Sequence, residues 1–204
     1  MTRARIWGAT VFVDYASHWV KVHLMRDAMG DTTLESNNSF EKDCMTQNVV
    51  PKHYHADNER FAENSFKKDC VRKMQNLTFC DIGAHYQNGL SERIIKDLTL
   101  SSQTLVINAQ RLRTEYNTTM FWPFALVAAA DRMNNLHVDM HGQTPEMNLS
   151  TNIGSSTRLS HFHMFVCPVY ILDARLQSVG GIGLPIWDPQ ICLEIYLGHS
   201  PSHA

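Results

Sequence analysis

"AHYQNGLSER", residues 84–93, joins a turn to the longest regular stretch of the chain, and its reading decides the fold. Asn88-Gly89 is a turn signal, because both residues accept backbone angles that others resist. Behind it Ile95, Leu98, Ser102, Leu105, Ala109 and Leu112 recur at alternating spacings of three and four. That period predicts a long helix with one apolar seam. Glu92 falls in the first turn of this helix, followed at once by Arg93. Taken singly, such a carboxylate only complements the helix dipole.

Upstream, "IWGATVFVD" (6–14) is rich in β-branched and aromatic residues and ends at Asp14. "WVKVHLM" (19–25) alternates with a period of two, so the pair predicts a hairpin joined by "YASH". "GDTTLESNNSFEKDCMTQN" (30–48) predicts a helix, with Asp31 or Thr32 as cap and Glu35 as capping-box partner. After Pro51, "KHYHA" predicts a brief strand before Asp57. "AENSFKKDCVRKMQ" (62–75) places Phe66, Cys70 and Met74 at spacing four, a helical stripe, and "LTFC" (77–80) a short strand.

Downstream, "FWPFALVAAADRM" (121–133) is apolar on nearly all sides and predicts a buried helix with Pro123 in its first turn. Residues 142–160, rich in Gly, Ser, Thr, Asn and Pro, predict an irregular loop or linker. "FHMFVCPVYILD" and "ICLEIYLGHS" predict two further strands around the Gly-rich "VGGIGLP". Strands, then alternating strands and helices, then helices describe an α/β domain with a mixed sheet.

Composition bounds the function. An apolar fraction of 44% and a charged fraction of 19% describe a folded chain, long enough at 204 residues for one full core. A net charge of −2 gives no bulk signal for nucleic acid, so such a partner must be read from a site. The five cysteines, Cys44, Cys70, Cys80, Cys167 and Cys192, form no C-x-x-C pair and favour reduced thiols in an intracellular protein. The longest apolar stretch, "MFWPFALVAAA", has 11 residues. A membrane helix needs roughly 20. No membrane association is expected.

Three acids stand out by position. Asp14 ends the first strand, Asp57 follows the strand after the first helix, and Glu92 opens the long helix. Strand ends and helix starts build the ligand crevice of an α/β sheet. Three carboxylates converging there would repel unless a cation sat among them. Hard Mg²⁺ or Mn²⁺ suits oxygen ligands. Two such ions would serve in-line phosphoryl transfer.

Asp57 and Glu92 are 35 positions apart, and Asp14 and Asp57 are 43 apart. With "FVDYASHWV", "YHADNERF" and "HYQNGLSER" around the acids, the chain resembles the integrase catalytic core of long-terminal-repeat retrotransposons, of the D,D-35-E type. The resemblance implies a ribonuclease H-like fold, a mixed five-stranded sheet flanked by helices. "GQTPEM" (142–147), "HFHMFVCPVY" (161–170) and "WDPQICLEIYLGHSPSHA" (187–204) are similar to the segment that follows the core in copia-type elements. There G-x-T-P, G-C-P-x-Y and G-x-x-L-G-Y/H-S motifs occur in this order. The ending is most similar to diatom and algal elements. The resemblance runs from about residue 6 to the end and divides the chain into a catalytic core, 1–140, and a C-terminal extension of loop and short strands, 141–204.

The resemblance implies a polynucleotidyl transferase that processes DNA 3′ ends and joins them to target DNA. Asp14, Asp57 and Glu92 would hold two Mg²⁺ or Mn²⁺ ions. Asn58 would position substrate or the metal loop, and His85, Gln87, Asn88 and Gly89 would form the loop approaching the DNA end. Arg93 and Lys96 would touch phosphates, although Lys96 reads equally as a solvated helix charge. The implied partners are double-stranded DNA, from element ends and target, and further copies of the chain as a homo-oligomer. The implied location is the nucleus, after a stage in cytoplasmic particles. DNA affinity of the isolated, near-neutral core is expected to be weak.

His53 and His55 share a strand face with Asp57, but nearby spacing gives no structural zinc pattern, and both read as surface or packed residues. His161, His163 and Cys167 read as structural parts of the C-terminal pattern. Departures are also visible. Family members carry an upstream His-His-Cys-Cys zinc domain, and a chain starting at the first strand reads as a polyprotein fragment or truncated frame. Glu59 stands where the D-N-G pattern has glycine, Val166 replaces the glycine of G-C-P, and residues 190–193 lack the usual basic residues. These departures support a second reading, a catalytically degraded integrase-derived module that binds DNA or other subunits. A third, another ribonuclease H-like nuclease, leaves the C-terminal motifs unexplained.

Overall fold

A computed structural model of the chain describes residues 6–27, 30–57, 61–81, 88–115, 117–150, 162–173, 176 and 189–199. The predicted hairpin is present: β1 (Gly8–Val13) runs antiparallel to β2 (Val20–Met25), in register from Gly8↔Met25 to Val13↔Val20. Alternation decides what each strand face meets. Ala9, Val11 and Val13 pack with Val20 and Val22 into one apolar cluster, whereas Phe12 belongs to a second.

The second cluster is aromatic. α1 (Gly30–Thr46) contributes Phe40, whose ring stacks on Phe12 with centroids 4.6 Å apart, and buried Cys44. The helix starts before Asp31 and Thr32, so neither stands outside it as a cap; the Thr32 hydroxyl donates to the Asp27 carboxylate instead. β3 (His53–Ala56), α2 (Asn64–Arg72) and β4 (Asn76–Phe79) form a β-α-β unit whose strands pair in parallel. Phe66 and Cys70 are buried in α2 as their spacing predicts. Met74 leaves the stripe, because α2 ends at Arg72; it is 92% exposed at a φ of +55°.

The long helix is α3 (Gly89–Leu112), and its seam differs from the predicted one. Ile94, Leu98, Ser102, Leu105 and Ala109 are buried, while Ile95 and Leu112 are 44% and 53% exposed. Ile94 is four residues before Leu98, hence above it on the same face, and Ile95 is turned about 100° away. A 3₁₀ turn (Thr118–Phe121) leads into α4 (Trp122–Leu136), with Pro123 in its first turn as expected. Buried Ala125, Ala128, Ala129 and Ala130 belong to the α3 cluster, while Trp122 and Phe124 are 37% and 46% exposed, so α4 is not enclosed on all sides.

The expected irregular segment contains a short helix, α5 (Pro145–Leu149), capped by Thr144, whose hydroxyl accepts from Met147 N–H at 3.2 Å. β5 (Pro168–Leu172) and β6 (Ile191–Ile195) pair antiparallel. Leu149 joins the aromatic cluster, and Phe165 and Val166 join the one around α3 and α4. Glu146 accepts from Trp19 Nε1 at 2.6 Å and from Gln47 Nε2 at 3.1 Å, which pins α5 to β2 and α1. Among the described residues the strands form three two-stranded ladders, β1-β2, β3-β4 and β5-β6, and no five-stranded sheet.

Asn134 on α4 ties that helix to the hairpin. Its side chain accepts from Val20 N–H at 2.8 Å and donates to Val20 C=O at 2.7 Å, in a buried setting. Truncation would leave two buried main-chain groups unmatched, at about 1–3 kcal/mol for each group. Asn134→Ala is therefore expected to cost about 2–6 kcal/mol in urea unfolding, with Asn135→Ala near neutral as control.

Candidate active site

Asp14 is the first residue beyond β1, and its local role is plain. Its Oδ2 accepts from both Ser17 N–H and Ser17 Oγ at 2.7 Å, and its backbone C=O accepts from His18 N–H at 2.9 Å. Asp14 N–H continues the ladder to Trp19 C=O at 2.8 Å. His18, at a φ of +61°, completes the reversal. The carboxylate thus holds the turn, as Asp commonly does, and Oδ1 has no hydrogen-bond partner among the described residues. Cys44 on α1 feels this acid: burial, then the Asp14 charge, pushes its thiol up to about 12.

Asp57 is the first residue beyond β3 and is exposed. Glu92, also exposed, is in the first turn of α3, where the sequence puts it. Asn88 occupies the N-cap position without a side-chain capping bond, and Gly89 opens the helix with open space where a Cβ would stand. Arg93 faces Asp97 at 3.9 Å, a loose exposed pair worth little to stability. Lys96 is exposed on the same helix. Asn58, His85 and Gln87 lie outside the described residues, as do Glu59 and His161.

The three acids therefore stand at the end of β1, the end of β3 and the start of α3. Among the described residues no three His, Cys, Asp or Glu side chains converge closely enough to hold a metal ion, so the carboxylates do not meet at one point. As oxygen donors they fit a hard divalent cation; as an arrangement they are not assembled. Among the described residues no β1–β3 ladder locks the strand of Asp14 to that of Asp57. Aromatic contacts link them instead: Phe40 bridges Phe12 and Tyr54, and Phe61 meets Phe12 edge-on at 6.1 Å. Leu90 and Ile94, in the first turns of α3, share a cluster with Val13.

One pairing was not visible in the sequence. His55 Nε2 is 3.3 Å from Cys80 Sγ, although 25 positions separate them. Parallel register sets His55 opposite Thr78 and Ala56 opposite Phe79, so Cys80, one residue past β4, becomes a diagonal neighbour of His55. His53 Nε2 and His55 Nδ1 both lie 2.9 Å from Thr78 Oγ1 on the exposed face. His163 packs edge-on against Tyr196.

No family model matches the sequence, and neither does any curated protein. Solved structures do match. The HTLV-2 integrase catalytic core domain in complex with magnesium, in its dimeric form, aligns with 72% of this chain and 96% of its own at 17% identity and a TM-score of 0.52. A chain of the simian T-cell lymphotropic virus intasome, solved with the PP2A regulatory subunit B56 gamma, aligns with 92% of this chain and 66% of its own at 16% identity and a TM-score of 0.56. The catalytic core domain of BIV integrase gives 18% identity, a TM-score of 0.50, and coverage of 72% and 95%. The chain has the α/β, ribonuclease H-like fold of integrase catalytic cores.

Proposed function

We propose that the chain is the integrase core of a copia-type retrotransposon, a polynucleotidyl transferase acting on double-stranded DNA. The observation that carries this reading is positional. In an integrase-like fold, Asp14, Asp57 and Glu92 stand at two strand ends and a helix start, with Glu92 35 positions after Asp57. Two Mg²⁺ or Mn²⁺ ions, when bound, would supply the electrophilic charge that polarises phosphate and activates water or a 3′-hydroxyl.

The chain's own contribution is placement. Asp14 Oδ1 would turn to the site while Oδ2 keeps the Ser17 turn, so one side chain is both hinge and ligand. Asp57 and Glu92 would close on it as cations offset the mutual repulsion. Asn58, His85, Gln87, Asn88 and Gly89 would line the approach of the DNA end. Arg93 and Lys96 would meet its phosphates, aided by the α3 N-terminus. Residues 1–140 form the catalytic unit in this reading, and 141–204 the extension that buttresses it through Glu146, Phe165 and Val166. The solved relatives named as dimer and intasome support action as a homo-oligomer. A nuclear site of action with a cytoplasmic particle stage completes the proposal.

A second reading has an observation of its own. The acids do not converge among the described residues, which favours an integrase-derived module that binds DNA or other subunits without catalysis. A strand-transfer and disintegration assay in Mg²⁺ and in Mn²⁺, with a DNA-binding measurement beside it, separates the two. The transferase reading expects product from wild type and none from Asp57→Asn. DNA binding without product in either protein transfers the assignment to the module.

A further inference from the structure

We propose that the cavity between the C-terminal end of α3 and α4 binds a small amphipathic organic anion, a carboxylate or phosphate head on an apolar body. The site is separate from the three carboxylates and stands whether or not the transferase reading holds. Arg111 follows Glu92 by 19 positions on α3. At 1.5 Å per residue that is roughly 28 Å along the helix axis.

The first argument is shape. Leu105, Asn108 and Leu112 recur at spacings of three and four near the end of α3, so they share one helix face. Leu105 is buried in the cluster around α3 and α4, while Leu112, two turns on, is exposed. A cavity of about 420 Å³ opens along this face, lined also by Arg132 of α4 and by Met164 and Phe165 before β5. Small-ligand sites have volumes of roughly 300–1,000 Å³ and mix apolar walls with a few polar groups. Leu105 and Phe165 are core residues, so the buried part of the lining is held by packing on both sides.

The second argument is charge. Two guanidiniums line the cavity, Arg111 exposed in the last turn of α3 and Arg132 half-buried on α4. Among the described residues neither has a carboxylate partner, whereas the neighbouring Arg113 faces Glu115 at 3.7 Å. Arg132 makes one long hydrogen bond there, donating to His163 C=O at 3.4 Å. A guanidinium has five N–H donors and keeps its charge at any working pH, so most of this capacity is left for a ligand. Two like charges around one space repel, and an anion among them relieves the repulsion. The planar fork of Arg matches carboxylate and phosphate oxygens, and the Asn108 carboxamide adds a neutral donor.

Together the two arguments select the ligand. A bare inorganic anion would leave the apolar lining unused. A purely apolar molecule would desolvate two guanidiniums without pairing them, which costs free energy. A DNA phosphodiester joins its charge to a hydrophilic sugar and does not match apolar walls. A molecule with both halves meets both demands.

The test uses the full chain with 1-naphthyl phosphate and 1-naphthoate as calorimetric probes, and 1-naphthol and inorganic phosphate as the separate halves. One equivalent of probe is expected to bind, with either half at least tenfold weaker, and the two probes rank the phosphate and carboxylate heads. Exposed Arg111→Gln, which does not threaten folding, and Arg132→Gln should each weaken the probe about 10- to 100-fold, the range of one charge-assisted hydrogen bond. Lys42→Gln, on the exposed side of α1, should change nothing. No binding of either probe, or undiminished affinity in either arginine variant, would overturn the site. Naphthol binding as tightly as the probes would reduce the cavity to an apolar patch, and inorganic phosphate doing so would reduce it to plain charge attraction. Duplex DNA that displaces the probe as well as naphthyl phosphate does would turn the cavity into a DNA contact and overturn the assignment. If Arg132→Gln fails to fold, the Arg111→Gln result decides alone.

Discussion

Replacing Lys73 by Met is expected to lower the stability of the fold by about 3 kcal/mol, at the lower edge of what breaking a buried ion pair costs. Lys73, one residue past α2, reaches Glu41 Oε2 at 2.5 Å and Asp69 Oδ2 at 2.7 Å. Both acids are nearly fully buried, with side chains 6% and 8% exposed. Gln75 Nε2 at 2.8 Å and the Tyr54 hydroxyl at 3.0 Å also donate to Glu41. Burial opposes ionisation of Glu41, but the hydrogen bonds from Lys73 and Gln75, the Lys73 charge and Tyr54 outweigh it and hold the carboxyl below its ordinary range. Burial likewise opposes charge on Lys73, and its two carboxylate partners outweigh it and raise its value.

The signs define a window. A lowered carboxyl contributes stability above its unfolded value of 4.5, lost as pH falls through the folded value. A raised ammonium contributes below its unfolded value of 10.5, lost as pH rises through the folded value. The loss in Lys73→Met should therefore be largest at neutral pH and shrink in acid, where Glu41 and Asp69 take up protons. Urea midpoints at pH 7 and pH 3.5 check this. Adding Glu41→Gln to Lys73→Met should recover part of the loss, since the charge left unpaired is then removed. An equal loss at both pH values would assign the effect to packing of the lysine stem.

This network explains what was legible in the sequence and what was not. Periods of two and of 3.6 are properties of neighbouring positions, so the hairpin, α2 and α3 could be read directly. The α3 seam slipped by one residue at its start because Ile94 and Ile95 are both apolar, and only contact with Val20, Val22 and the α4 alanines selects between them. Glu41, Asp69 and Lys73 look like solvated charges on two helices, because what buries them is the docking of α1 on α2 and β3. Cys80 and His55 needed the parallel register. Val166 was partly legible. It stands where the resembling motif has glycine, and it takes a φ of +60° in a turn closed by Cys167 N–H to Met164 C=O at 3.0 Å. Its side chain is 1% exposed, so burial offsets left-handed strain that glycine would not carry. Of the site, the positions of Asp14, Asp57 and Glu92 on their elements were legible, since strand ends and helix starts are local. Whether they would meet at one point was not, because that depends on how β1 approaches β3.

Asp131→Asn should act in the opposite sense, stabilising the protein by roughly 2–3 kcal/mol at pH 7.5 and leaving it unchanged near pH 3.5. Asp131 lies on α4 beside a small cavity lined with Arg132, His163, Tyr196 and His199. Burial, only partly opposed by the His199 and Lys21 charges, raises its carboxyl from 3.8 to about 6. Below the unfolded value both states hold the proton and nothing is at stake. Between 3.8 and about 6 the folded state keeps a proton that the unfolded chain has lost, so stability falls as pH rises. Above that range the penalty is constant, at about 1.4 kcal/mol for each unit of displacement. Asparagine keeps the shape and removes the charge, so its benefit should grow across this same interval, read as unfolding midpoints at successive pH values. Asp131→Glu, with the charge retained, should bring no such gain. A stabilisation independent of pH would trace to helix propensity, and no change at pH 7.5 would mean that His199 and Lys21 already offset the burial in full.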